Sequence, residues 1–85
     1  MAQYIKIIIT DEINKGNALR SVAMKVPLSS SFLTIFNHYS IQRALSLTGV
    51  FFKFHDNFIS PQKSLKDLNM IDPNVTYFVY AFVRS

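Results

Sequence analysis

The chain has 85 residues, of which 49% are hydrophobic and 14% aromatic, and its formal net charge is +4. This hydrophobic content is too high for a disordered chain, and the length supports one domain with one core but no large enclosed substrate cavity. There is no cysteine, which excludes disulfides, thiolate metal sites and cysteine nucleophiles. The basic residues are scattered, so the sequence has no stripe of the kind that follows nucleic-acid phosphates.

The first part of the chain has the pattern of a β-hairpin. Residues 4–10 (YIKIIIT) alternate as a strand does, with Ile5, Ile7 and Ile9 on one face. Residues 11–17 (DEINKGN) form a polar turn that contains Gly16. Residues 18–26 resume the alternation, and we therefore predict a second strand that pairs with the first.

A helical period follows. Pro27 cannot donate to a ladder, and the serines at 29–31 are candidate N-caps. The apolar residues that follow fall at i, i+4, i+7, i+8 and i+11, which is one helical stripe: Leu28, Phe32, Ile35, Phe36 and Tyr39. We predict a helix that ends between residues 40 and 46, with Gly49 closing the connection.

The second half reads as three strands and a short helical turn. Residues 50–55 (VFFKFH) place Phe52 and Phe54 on one face, and residues 58–59 form a short strand after a tight turn at 56–57. Residues 64–68 are long enough for one helical or 3₁₀ turn capped by Ser64. Residues 72–74 (DPN) have the composition of a type I turn. Residues 75–83 (VTYFVYAFV) are apolar on both faces, which is typical of a strand at the centre of a sheet.

The order of elements predicts an α+β fold. Two strands, a helix, two strands, a short helix and a last strand give one mixed sheet with the helix packed across one face, the β-grasp arrangement. Only the helix can cover the apolar face of the hairpin. We predict a single domain over residues 1–85.

The second half also resembles the SUMO branch of the ubiquitin-like proteins. The similarity is carried by the F-x-F pair at Phe52 and Phe54, the turn that leads to Ile59, and the L-x-M-x-D run from Leu68 to Asp72. It implies the same β-grasp fold. Residues 26–32 (VPLSSSF) and 59–61 (ISP) are also similar to the ubiquitin-fold modifier, so the branch stays open.

Two features of the family are not matched. Conjugated modifiers end in glycine, whereas this sequence ends in residues 82–85 (FVRS), so a modifier would need a tail that a longer chain supplies. The peptide-binding groove between the second strand and the helix of SUMO is lined by apolar and lysine side chains. Here the corresponding positions hold small or polar residues and an arginine: Arg20, Ser21, Ala23, Ser30 and Ser31.

No residues form a pattern typical of catalysis. The two histidines, His38 and His55, lack partners at metal-ligand spacing, and the two glycines are too far apart for a phosphate loop. We therefore expect a protein that is not an enzyme, with no catalytic residues, metal, cofactor or small-molecule substrate.

The sheet face away from the helix is the candidate interaction site. We assign Phe78, Tyr80 and Phe82 of the last strand to the core beneath the helix. The opposite face then carries an apolar set with two lysines: Tyr4, Lys6, Ile8, Phe51, Lys53, Tyr77, Val79 and Ala81. Ubiquitin's main recognition patch occupies the comparable face, so the resemblance implies the same location.

These patterns predict a non-catalytic interaction module that docks a protein partner, or a second copy of itself, within a larger complex. We expect no membrane association and a nuclear or cytoplasmic location. A covalent modifier with a glycine tail is one alternative. A nucleic-acid adaptor that uses Lys6, Lys53 and the aromatic residues as a stacking platform is another, although we expect no direct contact with nucleic acid.

Overall fold

The computed structural model describes residues 3–11 and 20–83. Within these residues the chain forms five strands, one α-helix and one 3₁₀-helix. In chain order they are β1 (Tyr4–Asp11), β2 (Arg20–Pro27), α1 (Phe32–Arg43), β3 (Val50–Phe54), β4 (Asn57–Phe58), the 3₁₀-helix (Lys66–Leu68) and β5 (Thr76–Val83). The predicted turn with Gly16 lies outside the described residues.

The strands form one mixed sheet in the order β2-β1-β5-β3-β4. β1 runs parallel to β5, and the other neighbours are antiparallel. The buried side chains of α1 join those of the sheet in one hydrophobic core. The predicted α+β fold of the β-grasp type is therefore confirmed, as is the central position of the last strand.

The helix begins and ends where its sequence signals lie. The Ser31 hydroxyl accepts a hydrogen bond of 3.4 Å from the backbone N–H of Thr34, as an N-cap does. Ala44 ends the helix in the left-handed conformation, at φ 53°. The predicted apolar stripe is buried at four positions: Phe32, Ile35, Phe36 and Tyr39.

The predicted orientation of β5 was wrong. Val79 and Ala81 are 2% and 0% exposed, whereas Phe78 is 63% exposed. Val79 lies beside the buried Ile9 of β1, and Ala81 lies beside the buried Phe52 of β3. Because neighbouring residues in register project from the same face of a sheet, Val79 and Ala81 must share the core face. Phe78, Tyr80 and Phe82 consequently lie on the opposite face.

Crowding under the helix gives the physical reason. The rings of Phe36 and Phe52 stack with their centroids 3.7 Å apart, and Tyr39 meets the edge of Phe52 at 5.5 Å. A core that already holds these three rings leaves room only for a small residue beside Phe52, and β5 supplies Ala81 there. Three of the four aromatic residues of β5 therefore face outwards: Phe78, Tyr80 and Phe82.

A buried polar cluster connects the end of β1 to the last turn of α1. Asp11 is 1% exposed and accepts two hydrogen bonds from the Arg43 guanidinium, at 2.8 and 3.0 Å. The Tyr39 hydroxyl donates to the same carboxylate at 2.7 Å. Burial, together with this hydrogen bond, raises the pKa of Tyr39 above its ordinary value, and the hydrogen bond with Asp11 raises the pKa of Arg43. The cluster fixes the helix to the sheet.

No helix within residues 3–11 and 20–83 combines the length and the apolar character that crossing a bilayer requires.

Candidate functional site

The sheet face away from α1, called here the outer face, is formed by alternate residues of the five strands. Its members are Tyr4, Lys6, Ile8 and Thr10 of β1, Ser21, Ala23 and Lys25 of β2, Phe51 and Lys53 of β3, Phe58 of β4, and Thr76, Phe78, Tyr80 and Phe82 of β5. Each is exposed or only partly buried. The described elements place no helix over this face, since α1 packs against the other one.

Four aromatic rings form a connected group on this face, the outer aromatic cluster: Phe51, Phe58, Tyr80 and Phe82. Phe82 lies at its centre, with ring centroids 5.9 to 6.0 Å from those of Tyr80, Phe51 and Phe58. Phe51 and Phe58 meet edge to face at 6.1 Å. Such contacts hold the rings in fixed relative positions. The cluster is therefore a preformed apolar surface.

Lys53 extends over this cluster. Its ammonium nitrogen lies 4.9 Å from the ring centroid of Phe58 and 5.3 Å from that of Phe82. Both distances are within the range of a cation–π interaction. The positive charge is thus held next to the apolar surface.

Phe78 extends the apolar surface towards β1. It is 63% exposed and lies beside Ile8 in the sheet register. A phenylalanine with this exposure gains little from the fold of its own domain, because most of its surface still contacts water. Among the outer-face side chains, Phe78 would therefore gain the most free energy if a partner removed its apolar surface from water.

Five of the predicted site residues lie on the outer face as expected: Tyr4, Lys6, Ile8, Phe51 and Lys53. The structure brings Phe51 and Lys53 together with the aromatic cluster, and it places Lys6 and Ile8 towards the β2 side of the face. Their role in binding stays a prediction.

The other three predicted site residues, Tyr77, Val79 and Ala81, lie on the core side, so their predicted placement on the outer face was wrong. Val79 and Ala81 belong to the hydrophobic core, and Tyr77 packs against it. The Tyr77 ring lies 6.1 Å from that of Phe54, and its hydroxyl accepts a 3.0 Å hydrogen bond from the backbone N–H of Asp72. These residues hold β5 and the turn before it in place.

Sequence reasoning missed Phe58, Phe78, Tyr80 and Phe82 as outer-face residues. One signal was available for β5, because Ala81 is its only small side chain. A small residue in a central strand is typical of a point where a helix and its large side chains pack closely. With Ala81 assigned to the core face, Phe78, Tyr80 and Phe82 fall on the outer face.

The described residues also include two histidines and two shallow grooves. His38 and His55 are both exposed. Among residues 3–11 and 20–83, no three His, Cys, Asp or Glu side chains are grouped so that they could hold a metal ion. Two shallow grooves, of about 350 and 320 Å³, open beside the aromatic cluster and between β1 and β2.

Comparisons with known proteins agree with this architecture. No family model matches the chain, and a search of curated proteins finds no match. Among solved structures, the ubiquitin of Caldiarchaeum subterraneum superimposes with a TM-score of 0.77 at 12% identity, covering 96% of this chain and 95% of that one. The N-terminal ubiquitin-like domain of the 4931431F19Rik protein gives a TM-score of 0.73 at 13% identity, covering 100% of this chain and 79% of that one. The protein thus has the ubiquitin-like β-grasp fold.

Proposed function

We propose that this ubiquitin-like domain is a non-catalytic interaction module that docks a protein partner through its outer face. The outer aromatic cluster, continued by Phe78 and Ile8, is the observation that carries the proposal. Large exposed apolar patches on soluble domains usually mark interfaces. The fold also generally serves binding rather than catalysis. The similarity of residues 52–72 to the SUMO branch stays a prediction.

Two physical arguments support this face over the rest of the surface. First, aromatic side chains dominate interface hot spots, because they bury a large area with few rotatable bonds. Second, the rings of the cluster already contact one another, so little conformational entropy is lost when a partner covers them. Leu33 and Ile41 are also large, apolar and exposed, but they lie on α1 and therefore away from this cluster.

The test is affinity purification from the source cells with the wild-type protein and Phe78→Ser as baits, followed by titration with the purified protein that is retained. Removing a central aromatic anchor typically costs 2 kcal/mol or more, so we expect affinity to fall by roughly 30-fold or more. Circular dichroism should show an unchanged fold, since Phe78 is outside the core.

Leu33→Ser is the matched control. Leu33 is 52% exposed, comparable with Phe78, but lies on α1 and therefore on the opposite side of the sheet. The control should retain the partner with wild-type affinity. Equal retention of the same proteins by all three baits would refute the outer face as the docking surface.

A further inference from the structure

We infer that Lys6 and Lys25 form a carboxylate-binding subsite on the outer face, and that the partner is an acidic protein segment whose neighbouring apolar side chain packs on Ile8 and Phe78. This subsite rests on the function proposed above. It adds Lys25, on β2, to the interaction surface and specifies the chemistry of the partner.

The two lysines are direct cross-strand neighbours. Lys6 of β1 lies opposite Lys25 of β2 in the antiparallel register. Side chains at opposed positions have Cβ atoms about 4.5–5.5 Å apart, and like charges placed so are destabilising. The fold thus places two lysines side by side on the outer face, an arrangement that is unfavourable wherever their ammonium groups approach each other. An anion held between them would convert the repulsion into two attractive contacts.

The two lysines lie at the edge of a groove that is lined by apolar residues. The groove between β1 and β2 has a volume of about 320 Å³, and its lining includes both lysines together with Ile8 and Ala23. Ile8 in turn lies beside Phe78. A segment with an acidic residue next to an apolar residue can therefore contact the two lysines and the apolar residues beside them at once. This arrangement matches the apolar core and polar rim of protein interfaces.

Charge complementarity argues against a second copy as the occupant. The outer face carries Lys6, Lys25 and Lys53, while the five strands contain one acidic residue, Asp11. Asp11 is buried and paired with Arg43. A two-fold dimer through this face would place lysines against lysines with no strand carboxylate to neutralise them.

Ring geometry argues against nucleic acid. Bases bind to single-strand platforms by stacking on exposed aromatic faces. Here the Lys53 ammonium lies over the rings of Phe58 and Phe82, and Tyr80 stacks with Phe82 at an interplanar angle of 22°. A base would therefore have to compete with Lys53 and with a neighbouring ring for the faces of Phe58, Phe82 and Tyr80.

The repulsion itself gives a test that needs no partner. Lys25→Glu replaces the like-charged pair with an opposite-charged pair. We expect the midpoint of thermal unfolding to rise by about 2–4 °C at low salt and the gain to shrink at high salt. An unchanged midpoint at low salt would show that the side chains do not approach each other, and would overturn the subsite.

Peptide selection identifies the ligand chemistry. A library of random linear peptides is displayed and selected on wild-type protein, on Phe78→Ser, and on the double variant Lys6→Gln and Lys25→Gln. On wild type we expect enrichment of Asp or Glu adjacent to Leu, Phe or Trp. The double variant should keep the apolar preference and lose the acidic one, and it should bind the wild-type peptides roughly 5- to 30-fold more weakly.

The failures of the two proposals are distinguishable. Apolar enrichment without acidic residues, or an acidic preference that survives in the double variant, would overturn the subsite and leave the outer face as the docking surface. Enrichment that Phe78→Ser does not change would overturn both.

Two further measurements address the other occupants. A concentration-dependent dimer in sedimentation experiments that Phe78→Ser abolishes would identify a second copy as the occupant and overturn the subsite. Binding of an oligothymidine that is lost in the double variant would assign the lysines to phosphate and also overturn it. We expect a monomer and no oligonucleotide binding.

Discussion

At the scale of the single residue, Asp11 is the core group that depends most on its partners. A buried carboxylate is strongly unfavourable unless it is paired and hydrogen-bonded. Arg43 supplies a bidentate ion pair and Tyr39 a third hydrogen bond. This cluster could not be predicted from the sequence, because Asp11 is far from Tyr39 and Arg43 along the chain and Arg43 follows a helical stripe that fades after Tyr39.

The raised pKa of Tyr39 predicts a loss of stability in alkali. In the unfolded chain the hydroxyl releases its proton near the ordinary value of 10.0, whereas the folded protein retains it to higher pH. Above that ordinary value the folded state therefore binds more protons than the unfolded state, and the free energy of unfolding falls as pH rises, by up to about 1.4 kcal/mol per pH unit.

Urea unfolding of wild type and Tyr39→Phe across this pH range measures the effect. The variant lacks both the hydrogen bond and the titrating group, so it should be less stable than wild type at neutral pH but have a shallower alkaline slope. Parallel slopes for the two proteins would contradict the assignment of this proton to Tyr39.

At the scale of the element, the β3–β4 hairpin turn contains backbone strain. His55 and Asp56 both have positive φ, at 50° and 65°, and residues 54 and 57 pair across them. Positive φ at both central positions is the pattern of a type I′ turn, which favours glycine because other residues meet steric resistance there. A short turn was predicted at 56–57, one residue beyond its observed position at 55–56, and its strained conformation was not predicted.

Relieving that strain should stabilise the protein. Asp56→Gly removes the side chain that disfavours positive φ, and we expect the free energy of unfolding to rise by about 0.5–1 kcal/mol in urea titrations. Asp56→Asn is the control, because it removes the charge but tolerates the left-handed region about as well as aspartate, and it should be close to neutral. An equal gain in both variants would assign the effect to charge instead.

The elements themselves followed from local signals, and the face of β5 did not. The turns at 55–56 and 72–74, the Ser31 cap and the helical stripe each depend on residues close in sequence. The orientation of β5 depends on which neighbours it has, and a strand that is apolar on both faces is compatible with either orientation. Only the register with Ile9 and Phe52 resolves the choice.

At the scale of the whole molecule, the two faces of β5 have separate roles. Val79 and Ala81 complete the core, while Phe78, Tyr80 and Phe82 form part of the outer face. Residue size alone would assign these roles the other way round. The predicted placement on the outer face was therefore right on β1 and β3, where polar or charged residues mark the outer side, and wrong on β5, where none does.

This division predicts that truncating the smaller side chain, Val79, lowers the free energy of unfolding more than truncating the larger one, Phe78. Val79→Ala leaves a small cavity in the core and should lower the free energy of unfolding by about 1–3 kcal/mol. Phe78→Ala removes more atoms but from an exposed site, and should change it by about 0.5 kcal/mol or less. Urea titrations followed by circular dichroism compare the two, and a larger cost for Phe78→Ala would refute the orientation of β5.

The parallel pairing of β1 with β5 also has a consequence for biosynthesis. These strands are the first and the last of the five described strands, and they are neighbours at the middle of the sheet. During translation, Ile7 and Ile9 emerge early but lack their neighbour until β5 has left the ribosome. Contacts between such distant parts of a chain form slowly. The core of this domain is therefore completed only after β5 has emerged, and Phe78, Tyr80 and Phe82 reach their positions on the outer face at the same step.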